Sequence, residues 1–213
     1  MTIVELKNVS KSYGDKNVLN DLSIKIEEGT FNVIMGASGS GKSTILNIIG
    51  LLDKATSGDV ILFGQKNIRP FSMKAEQMLK NKIGYLFQNF ALIENETVVN
   101  NLKLALENVR GNKKEKISEA LKEVGLEGYE NKKIFKCSGG EQQRVAIARL
   151  LLKPCELILA DEPTGSLDIK NREIVVKLLK NMQELGKTII VVSHDPFFEE
   201  IADNVIDLND TIK

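Results

Sequence analysis

The chain has 213 residues, 42% hydrophobic and 27% charged, a balance ordinary for a globular protein large enough to bury a substantial core. Its 29 Lys and Arg offset 29 Asp and Glu, so no global field selects nucleic acid or an anionic membrane as a partner. Apolar runs such as Ile189–Val192 fall far short of the roughly 20 residues a membrane-spanning helix needs, and the N-terminus lacks the basic-then-apolar order of a secretory signal, so the reading is cytoplasmic.

The first thirty residues alternate apolar and polar side chains over Val4–Val9 and Leu22–Ile26, the pattern of half-buried antiparallel strands. Thr30–Met35 is a short, nearly continuous apolar run and reads as a buried strand. It leads directly into Gly36, Ala37, Ser38, Gly39, Ser40, Gly41, Lys42 and Ser43, with Thr44 beginning a helix that runs to Leu52. The spacing Gly-x4-Gly-Lys-Ser between a strand and a helix is that of a phosphate-cradling P-loop. Its glycines permit the backbone angles that aim successive N–H groups into one concave nest, and the helix dipole adds positive potential there. Lys42 is expected to reach the β- and γ-phosphates of a nucleoside triphosphate, and the Ser43 hydroxyl to ligate Mg²⁺. Asp59–Phe63, ahead of a turn at Gly64, joins the early strands.

From about Asn89 to Lys153 the pattern turns helical and more polar, with the lysine-rich stretch Lys113–Lys116 read as a solvated helix face. This segment is expected to form a helical subdomain, residues 89–153, inserted in a core made of 1–88 and 154–213. It ends in a second glycine-bearing helix start: Ser138, Gly139, Gly140 and Glu141 precede a helix that stops before Pro154. Ser138 is a good N-cap, and the glycines would let a phosphate approach the backbone closely. An ordinary capped helix fits the composition equally well. Two cysteines, Cys137 and Cys155, with the single histidine, His194, supply neither a disulfide framework nor a four-ligand zinc site.

Leu157–Asp161 is an apolar strand that ends in two acids, Asp161 and Glu162. Ligand sites of parallel α/β sheets lie outside the carboxyl ends of the strands, where these acids emerge. Asp161 would orient Mg²⁺, directly or through a water, and Glu162 would act as general base on the water that attacks the γ-phosphate. On its own the dipeptide is only a charged strand end; the P-loop upstream gives it meaning. A last central strand, Thr188–Ser193, stops at His194, whose position favours a γ-phosphate contact over a surface role.

In this order the motifs resemble an ABC-transporter nucleotide-binding domain over essentially the whole chain. They comprise an aromatic A-loop residue (Tyr13), Walker A (Gly36–Thr44), the Q-loop glutamine (Gln88), the signature (Cys137–Gln142), Walker B (Leu157–Glu162), the D-loop (Ser166, Leu167, Asp168) and the H-loop histidine (His194). The signature departs from the commonest Leu-Ser-Gly-Gly-Gln at Cys137 and Glu141. The details around Gly50–Asp53 and Gly139–Arg149 look most like the lipoprotein-release and macrolide-export (MacB/LolD-like) branch. The resemblance implies an α/β P-loop NTPase core with a mostly parallel central sheet, an N-terminal antiparallel β subdomain and the inserted helical subdomain. It implies that Tyr13 stacks on adenine with Val18 packed nearby, and that Gln88 touches Mg²⁺ or the attacking water. It further implies that Ser138, Gly139, Gly140, Glu141 and Asp168 meet the ATP held by a second copy of the chain. The resulting homodimer would drive separate membrane permease subunits, sitting at the inner face of the membrane through them, with export the expected direction. An uptake system, or a soluble ATPase of the same family, is the alternative; no Asn-Lys-x-Asp motif for guanine appears.

Overall fold

The computed structural model describes residues 1–107, 109–165 and 167–208. Two long strands open the chain, β1 (Thr2–Tyr13) and β2 (Lys16–Glu27), paired antiparallel from Thr2↔Glu27 to Tyr13↔Lys16. The hairpin is longer at both ends than the alternation alone suggests. Then follow β3 (Phe31–Met35), α1 (Lys42–Ile49), β4 (Ser57–Leu62), β5 (Gln65–Lys66), α2 (Met73–Asn81) and β6 (Ile83–Leu86). The middle of the chain supplies α3 (Val98–Lys103), α4 (Lys113–Glu123) and α5 (Gly139–Leu152), joined by two short 3-10 turns. The chain then returns to the core with β7 (Leu157–Asp161), α6 (Ile169–Glu184), β8 (Thr188–Val192), α7 (Phe197–Ile201) and β9 (Asn204–Asp207).

Two sheets result. One is antiparallel with strand order β2-β1-β4-β5; the other has order β6-β7-β8-β3-β9 and every adjacent pair in it is parallel. In the parallel sheet the twofold alternation of strand side chains divides the apolar residues between two cores. Phe31, Val33, Ile158, Ala160, Ile189 and Val191 face α3–α6, while Ile34, Leu157, Leu159, Ile190 and Val192 face α1 and the antiparallel sheet. All of these strand residues are fully buried, which is why the runs read as continuous apolar segments.

Helix α5 packs against α3, α4, α6 and β6, so it is buried on nearly every side. The sequence suggests one apolar face through Val145, Ala148 and Leu152, flanked by Ile147 and Leu151; in the structure Ala146 and Leu150 are buried as well, and Leu151 and Leu152 are only half-buried.

One polar residue inside the sheet fixes the register of three strands. Asn32 of β3 is fully buried; its amide donates to the Thr30 and Ile189 carbonyls (3.1 Å each) and the Thr30 hydroxyl (2.8 Å), and its oxygen accepts from Asn204 of β9 at 3.0 Å. Asn32→Ala strips partners from several buried groups at once and is expected to destabilise the fold by about 2 kcal/mol, read as a lowered urea midpoint with unchanged slope.

Candidate nucleotide site at the carboxyl edge of the parallel sheet

Because β6, β7, β8 and β3 are adjacent and parallel, the loops that follow them emerge together on one edge. After β3 comes the glycine loop, after β7 Asp161 and Glu162, after β8 Ser193 and His194, and after β6 the exposed Gln88. The sheet therefore gathers four motifs spread along the chain from Gly36 to His194.

The glycine loop needs its glycines. Gly36, Gly39 and Gly41 all have positive φ, and Gly41 caps α1 in the left-handed region. A Cβ on Gly41 would lie 2.7 Å from Leu19 and 3.1 Å from Val18, so β2 presses directly on the loop. Lys42 folds back over it, donating to the carbonyls of Gly36 (2.7 Å) and Ala37 (2.9 Å). The Ser40 hydroxyl is buried and has no hydrogen-bond partner among the described residues. A buried, unpartnered donor beside a lysine and a helix N-terminus is the donor set that phosphate oxygens satisfy.

Across from the loop, the Ser43 hydroxyl donates to Asp161 at 3.1 Å. Burial pushes the Asp161 carboxyl above the usual carboxylate range; the Ser43 hydrogen bond opposes this and the neighbouring Glu162 charge adds to it. A hydroxyl and a carboxylate held together fit a hard divalent cation such as Mg²⁺, which takes oxygen ligands.

Glu162 has a φ of 45°, unusual for a residue with a side chain. Its N–H donates to Val192 of β8 at 2.9 Å, so the turn is fixed by the neighbouring strand. The carboxylate accepts from the Ser193 hydroxyl at 3.3 Å and lies 3.0 Å from Nδ1 of His194. Glu162 is mostly shielded at 16% side-chain exposure, whereas His194 is 74% exposed and so has a free face. Behind them, Asp195 accepts from Thr164 at 3.1 Å and pairs with Arg172 of α6 at 3.3 Å, tying the two loops together.

Tyr13 ends β1 at 50% exposure. Its hydroxyl donates to Asp53, and the Lys11 ammonium sits 4.5 Å from its ring centroid.

The second helix start is a full capping box: Glu141 N–H donates to Ser138 Oγ at 3.3 Å and Ser138 N–H donates back to Glu141 at 2.9 Å. Tyr129 and Lys132 also hold Glu141, each at 2.8 Å. The Glu141 side chain is thus committed to its own subunit, and the exposed part of this turn is Ser138 and Gly139 with the backbone. Cys137 is buried just before the cap.

From α5 three side chains reach the other loops. Gln143 donates to the Pro163 carbonyl at 2.8 Å, directly after Glu162. Arg149 holds the carbonyls of Phe90 (2.8 Å) and Ala91, next to Gln88. Arg144 donates to Asn171, whose amide donates to Asp168 at 2.9 Å. Asp168 in turn caps α6 through the Asn171 N–H at 2.8 Å. Ser166 of the expected D-loop lies outside the described residues. Sequence reading missed these supports. Asp168-x-x-Asn171 carries a local capping signal, but the reaches of Gln143, Arg144, Arg149 and Asp53 join segments distant in sequence and leave no local trace.

The profile of the ABC transporter family matches residues 19–165. The chain belongs to the ABC transporter family. Within it, the macrolide export ATP-binding/permease protein MacB of Mannheimia succiniciproducens is 39% identical over 217 residues, an alignment covering 99% of this chain and 34% of that protein. The chain thus spans about a third of the length of the curated relatives it matches. Among solved structures, the ATP-binding cassette MJ0796, as a dimer in a post-hydrolysis state bound to ADP and Pi, superposes with a TM-score of 0.88 at 41% identity, covering 96% of this chain and 94% of that one. A second dimeric structure of MJ0796 gives 0.86 at 40% identity, covering 97% and 95%. The family match ends before Asp168 and His194 and begins after Tyr13, whereas the likeness to MJ0796 covers 96% of this chain.

Proposed function

We propose that this chain is the ATP-binding and ATP-hydrolysing subunit of an ABC exporter, working as a homodimer that closes around two ATP molecules and drives membrane permease subunits. What carries the reading is the convergence of the glycine loop, the Asp161–Glu162 pair and His194 on one sheet edge in a family member that superposes on a dimeric cassette.

In this reading the phosphates rest on the N–H groups of Gly36–Ser43, with Ser40 supplying its free hydroxyl. Lys42 leaves the Gly36 and Ala37 carbonyls to meet the β- and γ-oxygens, exchanging two neutral acceptors for charged ones. Ser43, Gln88 and, through a water, Asp161 hold Mg²⁺, which when bound neutralises charge on the phosphates. Tyr13 stacks on adenine and Val18 packs beside it. Glu162 takes the proton of the attacking water, and His194, hydrogen-bonded to it, contacts the γ-phosphate. Ser138, Gly139 and Gly140, with the backbone at Glu141, face the nucleotide of the other copy, and Asp168 lies at that interface.

Among the described residues no helix is long and apolar enough to cross a membrane. In this reading contact with the bilayer runs through the permease, on its cytoplasmic side. The segment 89–99, gripped by Arg149 next to Gln88, is the docking candidate. Export as the direction fits relatives named for macrolide export; in this reading the cargo is a peptide, lipoprotein or antimicrobial, and nucleic acid is not a partner.

The sandwich makes activity depend on assembly. ATPase rate per chain is expected to rise with protein concentration through the micromolar range and then level off. A rate per chain independent of concentration, in a protein that stays monomeric with Mg-ATP by light scattering, would remove the dimer from the mechanism.

A further inference from the structure

Tyr13 is at the end of a strand, at the tip of a hairpin, and half of it faces solvent. An aromatic side chain in such a place ordinarily samples several rotamers, and fixing it when a ligand arrives weakens binding. Here it is already held. The phenol donates to Asp53 Oδ2. The other Asp53 oxygen accepts from Lys11 at 2.7 Å, and Lys11 donates again to the Lys54 carbonyl at 2.9 Å. That places a buried ammonium over the ring, 4.5 Å from its centre, while half of the tyrosine stays exposed to solvent.

Asp53 is itself anchored. The turn after α1 folds back so that the Asp53 N–H donates to Asn47 within the helix at 3.1 Å, and Lys54 N–H donates to the Asp53 carboxylate at 2.7 Å. Helix α1 therefore begins at the phosphate loop, and the turn that follows it fixes the tyrosine. The electrostatics agree with this arrangement. Burial alone would raise the Asp53 carboxyl, but the hydrogen bonds from Lys11 and Tyr13 bring it below its usual range. The Tyr13 phenol is raised, chiefly by its bond to Asp53.

We infer that Asp53 and Lys11 are positioning residues for base recognition: they hold Tyr13 in a single orientation, the ammonium over its ring and its exposed part presented to the purine of the nucleotide. This rests on the proposal above that Tyr13 stacks on adenine, and it adds the device that makes the stack effective. Neither Asp53 nor Lys11 touches the nucleotide; both act through Tyr13.

The test is calorimetric binding of Mg-ADP, which avoids turnover and ATP-driven closure, with pyrophosphate as a ligand that has phosphates and no base. Asp53→Asn is expected to weaken ADP about 3- to 10-fold, the effect of releasing one ordered side chain, and to leave pyrophosphate unchanged. Tyr13→Phe keeps the ring and lacks the phenol; it should reproduce the Asp53→Asn loss, and the double variant should bind no more weakly than either single one. Equal weakening of ADP and pyrophosphate by Asp53→Asn, additive losses in the double variant, or no loss at all would each overturn the inference. Tyr13→Ala separates the two levels. If it binds ADP as tightly as the unaltered chain, the stacking role of Tyr13 falls and the positioning role with it. If it binds at least ten-fold more weakly while Asp53→Asn and Tyr13→Phe are silent, stacking stands and the positioning role alone is lost.

Discussion

Glu162→Gln is expected to lower ATP turnover by about 10²- to 10⁴-fold, the usual contribution of a positioned general base, while leaving ATP binding intact. The substitution is isosteric, so the left-handed turn at residue 162, fixed by the bond from its N–H to Val192, has no reason to change. The amide oxygen can still accept from Ser193. What disappears is the negative charge that draws a proton from water, and with it some of the repulsion between the carboxylate and the γ-phosphate. Binding then goes on favouring the closed state with no hydrolysis to reopen it, because a ligand shifts an equilibrium toward the state it binds better. In Mg-ATP the variant should elute from a sizing column as a dimer, and in Mg-ADP as a monomer. Turnover within a few-fold of the unaltered chain would take the role of base away from Glu162.

Three of the motifs that converge on the sheet edge were readable one by one, because each is a local pattern tied to a strand end: Gly36–Ser43 after β3, Asp161–Glu162 after β7 and His194 after β8; Gln88 after β6 came only from the family resemblance. Strands β3, β7 and β8 were readable because a strand buried on both faces is apolar throughout, whereas β6, only four residues long with Gly84 and Tyr85 inside it, was not. Less legible was β9, whose residues Asn204–Asp207 are exposed or half-exposed and alternate weakly at the sheet edge. The length of the first hairpin was also understated. Polar residues carry it beyond the alternating core as far as Tyr13, and backbone pairing rather than side-chain pattern sets that limit. Burial of α5 on nearly every side was hidden because a small and a polar residue, Ala146 and Gln143, occupy faces that periodicity reads as exposed. Asp53 could not be found from sequence at all. It acts on a residue forty positions earlier, and nothing in the turn Leu51–Lys54 announces it.

Gly140→Ala is expected to lower ATPase activity by about 10²-fold, and only part of that loss comes from the partner's nucleotide. A Cβ at residue 140 would lie 2.5 Å from both Cγ and Oδ1 of Asn171, closer than packed atoms approach, whereas one at Gly139 meets nothing within 4 Å. Asn171 cannot simply step aside, because Arg144 holds its oxygen and Asp168 its amide. An added methyl therefore pushes on the capping turn of α6 and the loop from Glu162 to Asp168, at the 1–3 kcal/mol typical of overpacking. That damage is intramolecular, so it should appear as a lowered melting temperature in the isolated, nucleotide-free chain, where Gly139→Ala should show none. It should also be relieved by removing the obstacle: Gly140→Ala with Asn171→Ala is expected to melt higher than Gly140→Ala alone and to recover about ten-fold in activity, the equivalent of roughly 1.4 kcal/mol. Were the second substitution to restore neither stability nor activity, the requirement for glycine at 140 would lie wholly in the approach of the partner's phosphates. Recovery of stability without activity would divide the two causes, the clash with Asn171 setting the fold and the phosphate approach setting the rate.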